Sequence, residues 1–287
     1  GENDIVIIPA FGTEVATLEK LKSKGCQFVD TTCGDVMSVW KRVRAYAKNE
    51  ITSIIHGKVT HEETRATISQ ATANSGHYLI VRHLDETDTV CEYIIKGGDK
   101  KAFLKQFEGN YSVGFDPDQH LRAVGVANQT TMMRGETEEV QRRIKAAIER
   151  KFGAAKVDSH FRFFDTICGA TQERQDALDV LLQKPMDLLL VIGGYNSSNT
   201  AHLAEMGESV LPTYFIKNAA ELADAQLIRH WDQQTHEVVE TRDWLPDDLL
   251  TVGITAGASC PNNLIEDVIC RLLELRGASA KEFTSSN

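Results

Sequence analysis

The chain lacks the features that would send it to several function classes. No apolar run approaches the roughly 20 residues of a membrane-spanning helix. The densest, Leu188-Leu189-Leu190-Val191-Ile192, is strand-sized and ends in Gly193-Gly194. No secretory signal is visible. Basic residues are outnumbered, 31 Lys and Arg against 41 Asp and Glu, and the net charge is −10. Such a chain has no general counterion-release drive onto nucleic acid, and anionic membranes repel it. Neither a Walker A loop nor a G-x-G-x-x-G turn is present, so nucleotide binding is not indicated. No C-x-x-C pair occurs among the six cysteines, which argues against a zinc ribbon or thioredoxin-type site. The cysteines are dispersed, unlike a disulfide scaffold, and point to a reducing compartment with thiols free or bound to metal.

What is present is alternation. Strand-like runs fall at 5–8, 27–30, 52–56, 78–81, 123–127, 188–192, 213–216 and 250–254. Helix-like patterns fall at 36–48, 62–72, 101–107, 136–151, 171–183, 200–206 and 262–276. Val/Ile/Leu-rich strands alternating with helices predict an α/β fold of parallel sheets covered by helices. The polar segment from Trp231 to Trp244, with a Val238-Val239 centre, reads as a surface hairpin insertion, and 279–287 as a frayed tail.

Two cysteines share a context. Asp30-Thr31-Thr32-Cys33-Gly34 and Asp165-Thr166-Ile167-Cys168-Gly169 agree at four of five positions. Each follows a β-like run and precedes a helix-like one, which puts both thiols at strand carboxyl ends, where open α/β sheets place their sites. Two thiolates from duplicated units could serve one metal centre. Alternatively they are small packed hydrophobes, the usual fate of free cysteine. Cys26, Cys91 and Cys270 are read as packed residues, the last two within helix-like patterns.

Four strand ends carry small polar residues. In His56-Gly57-Lys58-Val59-Thr60-His61-Glu62-Glu63-Thr64, Thr60 and Glu63 have the spacing of a capping box. His61 and Glu63 also offer anion binding and proton transfer at a helix start. Both readings stand. Asn128-Gln129-Thr130-Thr131 could be an ST-turn with a helix cap. Gly193-Gly194-Tyr195-Asn196-Ser197-Ser198-Asn199 has the layout of a phosphate cradle. Thr255-Ala256-Gly257-Ala258-Ser259-Cys260-Pro261 again joins a strand to a helix through small residues. Together with the two echoed cysteines, these loops suggest a metal centre beside a small phosphorylated substrate.

These stretches, with Gly135-Glu136-Thr137-Glu138-Glu139 and Ala170-Thr171-Gln172-Glu173-Arg174-Gln175, run almost end to end in the order of one family. The chain resembles the 4-hydroxy-3-methylbut-2-enyl diphosphate (HMBPP) reductases, with a flavour nearest the plant and cyanobacterial members. The resemblance implies three similar α/β domains around a central cavity and a [4Fe–4S] cluster with one iron left open for substrate. It implies Cys33 and Cys168 as two of three cluster ligands. It implies Glu63 as proton donor to the leaving hydroxyl, with Thr130 in the relay. His61, Ser197, Ser198, Asn199 and Ser259 would clamp the diphosphate, and Gln129 would line the pocket.

The implied reaction is a reductive dehydroxylation giving isopentenyl and dimethylallyl diphosphates, the last step of the methylerythritol phosphate route. A ferredoxin or flavodoxin is the implied electron donor, and the location is the cytoplasm, or the plastid stroma in a plant or alga. No nucleic-acid or membrane partner is expected.

The family's Gly-x-Cys-x-Gly-Val and Ile-His-Asn stretches are not found in this chain, and Phe11 falls where many bacterial members carry a histidine. With Gly1 directly ahead of the apolar 5–8 run, this reads as a reductase lacking most of its first domain. The division read is 1–33, part of a first domain; 34–164, a second; 165–277, a third; and 278–287, a tail. Cys260 is an alternative third ligand, since it too follows a strand end. A diphosphate-binding module without redox activity is the rival reading. A zinc hydrolase using His61 and Glu63 does not fit the known spacings.

Overall fold

The computed structural model describes residues 1–164 and 166–278. Asp165 of the second cysteine motif and the tail at 279–287 lie outside the described residues. The chain divides into two compact units, Gly1–Cys168 and Gly169–Asn287.

The first unit runs β1 (Ile5–Ile8), α1 (Val15–Ser23), β2 (Gln27–Asp30), α2 (Gly34–Lys48), β3 (Thr52–His56), α3 (Glu62–Thr72), β4 (Tyr78–Val81), α4 (Leu84–Lys96), α5 (Lys100–Gln106), α6 (Pro117–His120), β5 (Val124–Asn128), α7 (Arg134–Phe152), α8 (Val157–His160) and β6 (Phe161–Phe163). β1 and β2 form a parallel pair, and a parallel sheet has the order β4-β3-β5-β6. Every residue of β3 and β5 is buried, because helices cover both faces. One face packs Leu79, Val81 and Val126 with Val90 and Ile94 of α4 and Val140 and Ile144 of α7. On the other, Ala127 packs with Val39 and Val43 of α2 and Ala71 of α3. A fully buried aliphatic side chain of this kind contributes about 1.5–3 kcal/mol.

The second unit runs α9 (Gly169–Leu182), β7 (Leu188–Ile192), α10 (Ser198–Glu208), β8 (Thr213–Ile216), β9 (Leu227–Asp232), β10 (Glu237–Arg242), β11 (Val252–Ala256) and α11 (Asn262–Leu275). Its sheet has the order β10-β9-β8-β7-β11. Strand alternation divides β7 between two cores. Leu188, Leu190 and Ile192 meet Val268 of α11 on one face. Leu189 and Val191 meet Leu178 of α9 and Leu203 of α10 on the other.

The parallel α/β reading holds. So does the hairpin, with one correction: its first strand begins at Leu227, so Trp231 lies inside β9 rather than at the hairpin's start. β5 and β11 also reach further than read. The polar and small residues Asn128, Thr255 and Ala256 still pair with neighbouring strands, Asn128 with His56 and Ala256 with Ile192. Among the described residues, no helix is long and apolar enough to cross a membrane.

Both main sheets contain a switch point. From β3 the chain crosses through α3 to β4 on one side, and later returns to place β5 on the other. From β7 it crosses through α10 to β8, and later returns to place β11 on the other side. At such a point, loops from the two strands leave in opposite directions and open a crevice at the carboxyl ends.

Candidate active site

In the first unit the crevice lies past His56 of β3 and Asn128 of β5, which are register partners. The 57–61 loop and the 129–131 loop therefore run side by side. α3 starts at Glu62, and its N-cap is His61, whose Nδ1 accepts the Glu63 N–H at 3.2 Å. The capping-box reading with Thr60 thus fails, and Glu63 faces elsewhere. Its Oε1 accepts the Thr130 N–H at 2.6 Å and its Oε2 the Thr130 hydroxyl at 2.9 Å. The cap reading of Thr130 fails too, since α7 is capped by Met133 without a side-chain bond.

Glu63 is only 2% exposed. Burial disfavours the charged carboxylate. It outweighs the two Thr130 hydrogen bonds, which act in the opposite sense, and pushes the carboxyl up to about 7. An acid near neutrality can both hold and release a proton at physiological pH. Burial also lowers the His61 pKa, which favours the neutral ring whose Nδ1 serves as cap acceptor.

Gln129 is buried, and its amide is engaged by this chain. Oε1 accepts from Lys58 N and from the Thr64 hydroxyl, each at 3.2 Å, and Nε2 donates to Thr131 Oγ1 at 2.8 Å. The buried His56 turns away from the loops toward α7, its Nδ1 2.8 Å from Thr137 Oγ1 and its Nε2 3.6 Å from the Glu136 carboxylate.

The two cysteine motifs echo each other in space as well as in sequence. Thr31 Oγ1 donates to the carbonyl of Ile8, the last residue of the neighbouring strand β1. Cys33 N–H donates to the carbonyl of Ala10, two residues further on, at 2.8 Å. In the second copy the Thr166 hydroxyl donates to the side chain of Asn128, the last residue of β5. Cys168 N–H donates to the carbonyl of Thr130, again two residues on, at 3.1 Å. Asp30 further braces the first copy by accepting Thr32 N–H and Oγ1–H. Each cysteine directly precedes a helix, and both are free and half-buried. The Cys33 thiol takes no part in capping α2.

Of the cysteines read as packed, Cys91 is buried in the core. Burial pushes the Cys91 thiol up to about 12. Cys260 packs against the core beside α11, and burial raises its pKa as well. Among the described residues, no three His, Cys, Asp or Glu side chains are grouped to hold a metal ion.

In the second unit the crevice lies past Ile192 of β7 and Ala256 of β11, again register partners. Ser197 caps α10, its Oγ accepting Thr200 N–H at 3.3 Å and Thr200 Oγ1–H at 3.0 Å. Ser198 is buried, and Ser259 is exposed on the adjacent loop. Asn199 is 4% exposed, yet among the described residues neither its Oδ1 nor its Nδ2 has a hydrogen-bond partner. A buried amide left this way costs about 1–3 kcal/mol. A ligand that paired with it would recover that cost.

Thr200 was not singled out by its sequence context, yet it ties the two loops together. A Cβ on Gly193 would lie 2.6 Å from its Oγ1, and one on Gly257 would lie 2.2 Å from it. Only glycine at both positions lets the strand ends close on this hydroxyl. The one sequence signal was a glycine directly after each of the paired strands.

Comparisons with known proteins place the chain in a family. The family model described as LytB protein matches residues 1–273. A 4-hydroxy-3-methylbut-2-enyl diphosphate reductase from Gloeobacter violaceus is 49% identical over 286 residues, covering 99% of this chain and 68% of that protein. One of the same name from Thermosynechococcus vestitus is 47% identical over 277 residues, covering 96% and 68%. Among solved structures, an (E)-4-hydroxy-3-methyl-but-2-enyl diphosphate reductase described as the terminal enzyme of the non-mevalonate pathway matches with a TM-score of 0.51 at 25% identity, over 94% of this chain and 76% of that one. The Plasmodium falciparum E-1-hydroxy-2-methyl-but-2-enyl-4-diphosphate reductase shares the fold, with a TM-score of 0.65 at 21% identity, over 97% and 70%. With its family model matched over residues 1–273 and these relatives aligned over nearly its whole length, the chain belongs to the LytB protein family.

Proposed function

We infer that this chain carries the reductive dehydroxylation of 4-hydroxy-3-methylbut-2-enyl diphosphate to isopentenyl and dimethylallyl diphosphates, the last step of the methylerythritol phosphate pathway. The observation that supports it most directly is Glu63, a buried acid with a carboxyl near 7 held by Thr130 at a switch point. The reaction takes an allylic alcohol, two electrons and two protons to an alkene and water. Carbon–oxygen cleavage would otherwise expel hydroxide, a poor leaving group. Glu63 delivers a proton to that oxygen, so that water leaves. The Thr130 hydroxyl, in contact with Glu63 Oε2, hands protons between the carboxyl and the substrate. The neutral His61 contacts the substrate, and Gln129 shapes the floor by holding Lys58, Thr64 and Thr131 in place.

In the second unit, Ser197, Ser198, Asn199 and Ser259 take the diphosphate. The start of α10 presents backbone N–H groups to an anion, and the unpaired Asn199 amide supplies a donor already stripped of water.

Family membership implies an iron–sulfur cofactor. Cys33 and Cys168 suit two of its thiolate positions, being free, half-buried and held alike. The described residues do not assemble a full ligand set. The electrons come from a ferredoxin or flavodoxin, and the enzyme works in the cytoplasm or, in a plastid-bearing organism, the stroma.

The test is anaerobic reconstitution of the chain, with iron and sulfide counted and HMBPP supplied alongside a reduced viologen. Formation of both five-carbon diphosphates is expected. A sample that carries its iron and forms neither product overturns the reading. If such a sample still binds inorganic pyrophosphate, it is a diphosphate-binding module.

A further inference from the structure

The β9–β10 hairpin has no part in the chemistry above, yet it reaches the phosphate loop. In the sheet, β9 is separated from β7 by β8. Trp231 of β9 nevertheless stacks on Tyr195 of the 193–199 loop, with ring centroids 5.0 Å apart and planes 17° from parallel. Tyr195 also sets its edge against Phe215 of β8, 5.4 Å away at 84°. Phe215 and Trp231 are themselves register partners. Three rings, from β8, β9 and the loop after β7, thus form one cluster. From the hairpin turn, Gln233 Nε2 donates to the carbonyl of Ala201 in the first turn of α10, at 3.0 Å.

The loop needs such an anchor. Its first two residues are glycines, and Asn196 is exposed. Tyr195 is the one bulky side chain between Gly193 and Ser197, and it fastens the middle of the loop to a core. If the ring were released, the glycines would sample many backbone states, and a ligand would have to order them at the expense of its affinity.

We propose that Trp231 and Gln233 are positioning residues, which hold the 193–199 loop and the start of α10 in an anion-ready conformation. The proposal rests on the reading of that loop as the diphosphate site.

The test is calorimetric titration of the full chain with inorganic pyrophosphate, with a melting curve for each variant. Trp231→Ala should weaken binding roughly five- to tenfold, the range set by one lost aromatic pair. Trp231→Phe, which keeps a ring against Tyr195, should return to within about threefold of wild type. Gln233→Ala lies in the turn and spares the aromatic cluster; it should weaken binding about threefold and decides the matter if Trp231→Ala does not fold. Wild-type affinity in Gln233→Ala together with wild-type affinity in any folded Trp231→Ala, whatever the melting temperature, overturns the positioning role and leaves the diphosphate reading standing. No pyrophosphate binding by wild type overturns both.

Discussion

The two switch points use one backbone plan for opposite electrostatic ends. In each, a buried parallel strand runs through a short loop into a helix, and the loop after a second parallel strand lies beside it. Glu63 is the second residue of α3, and Asn199 is the second residue of α10. Both are buried. Glu63 is met by Thr130, which holds its carboxyl in place, and burial retains its proton against those two bonds. Asn199 is met by no hydrogen-bonding group among the described residues, so its amide stays open. The fold supplies a sequestered position at a helix start, and the residue standing there decides whether a proton is held or an amide is left open.

Glu63 carries the largest expected effect. Glu63→Gln keeps the shape and removes the acidic proton. Turnover of HMBPP should fall by roughly 10²–10⁴-fold, with iron content and pyrophosphate affinity unchanged. Normal turnover in a variant with full iron would remove Glu63 as the acid.

At the other switch point, Asn199→Ala should leave Glu63 untouched and weaken pyrophosphate roughly tenfold or more, the loss expected for a hydrogen bond to a charged group. Unaltered affinity in a titration would show that the open amide is not the anion's partner.

The cysteine echo predicts equal consequences for its two copies. Cys33→Ser and Cys168→Ser should each lower reconstituted iron per chain severely and to a similar degree. Full iron in either variant removes that residue from the ligand set.

A pH series sharpens the contrast further. The raised Glu63 pKa means the folded state holds a proton that the unfolded chain releases near the ordinary value of 4.5. Its stabilising contribution is complete below about pH 4.5, is lost as pH rises through about 7, and stays lost above that. The total is of order 3 kcal/mol. Glu63→Gln should lack this slope in denaturant titrations between those limits. The rate should also fall above about pH 7 as the donor ionises. A wild-type stability curve that runs parallel to the variant's would contradict the buried-acid assignment.

The smallest effect expected is from Thr200→Val, which keeps the wedge against Gly193 and Gly257 but deletes the bond to Ser197. It should cost about 1 kcal/mol of stability, read as a modest drop in denaturation midpoint. An unchanged midpoint would mean the hydroxyl contributes only shape.

Much of this was legible along the chain. Apolar runs bounded by polar or glycine residues located β1, β2, β3, β4, β7 and β8 with the bounds seen in the structure. A fully buried strand is a continuous apolar word, and it ends where the chain must turn. α1 was not read, because it buries no residue and carries no strong apolar stripe; Ser69 accepts its first N–H, and Arg65 pairs with Glu14 at its start. The capping readings of Thr60 and Thr130 failed for a shared reason. Local spacing gives the bonds a residue can make with its neighbours. Thr130 instead meets Glu63, 67 residues away in the chain.

The class of fold, the strand ends that bear polar loops, and the repeated setting of Cys33 and Cys168 follow from the order of residues alone, since each is a matter of hydrophobic period or local motif. What those loops meet is set by packing. Parallel pairing at the switch points set Thr130 against Glu63 and Thr200 between two glycines. Among the described residues it left Asn199 unpaired, and it brought a hairpin tryptophan onto the 193–199 loop. The pKa of a carboxyl and the openness of an amide depend on what surrounds them after the chain is packed, and that is a property of the fold.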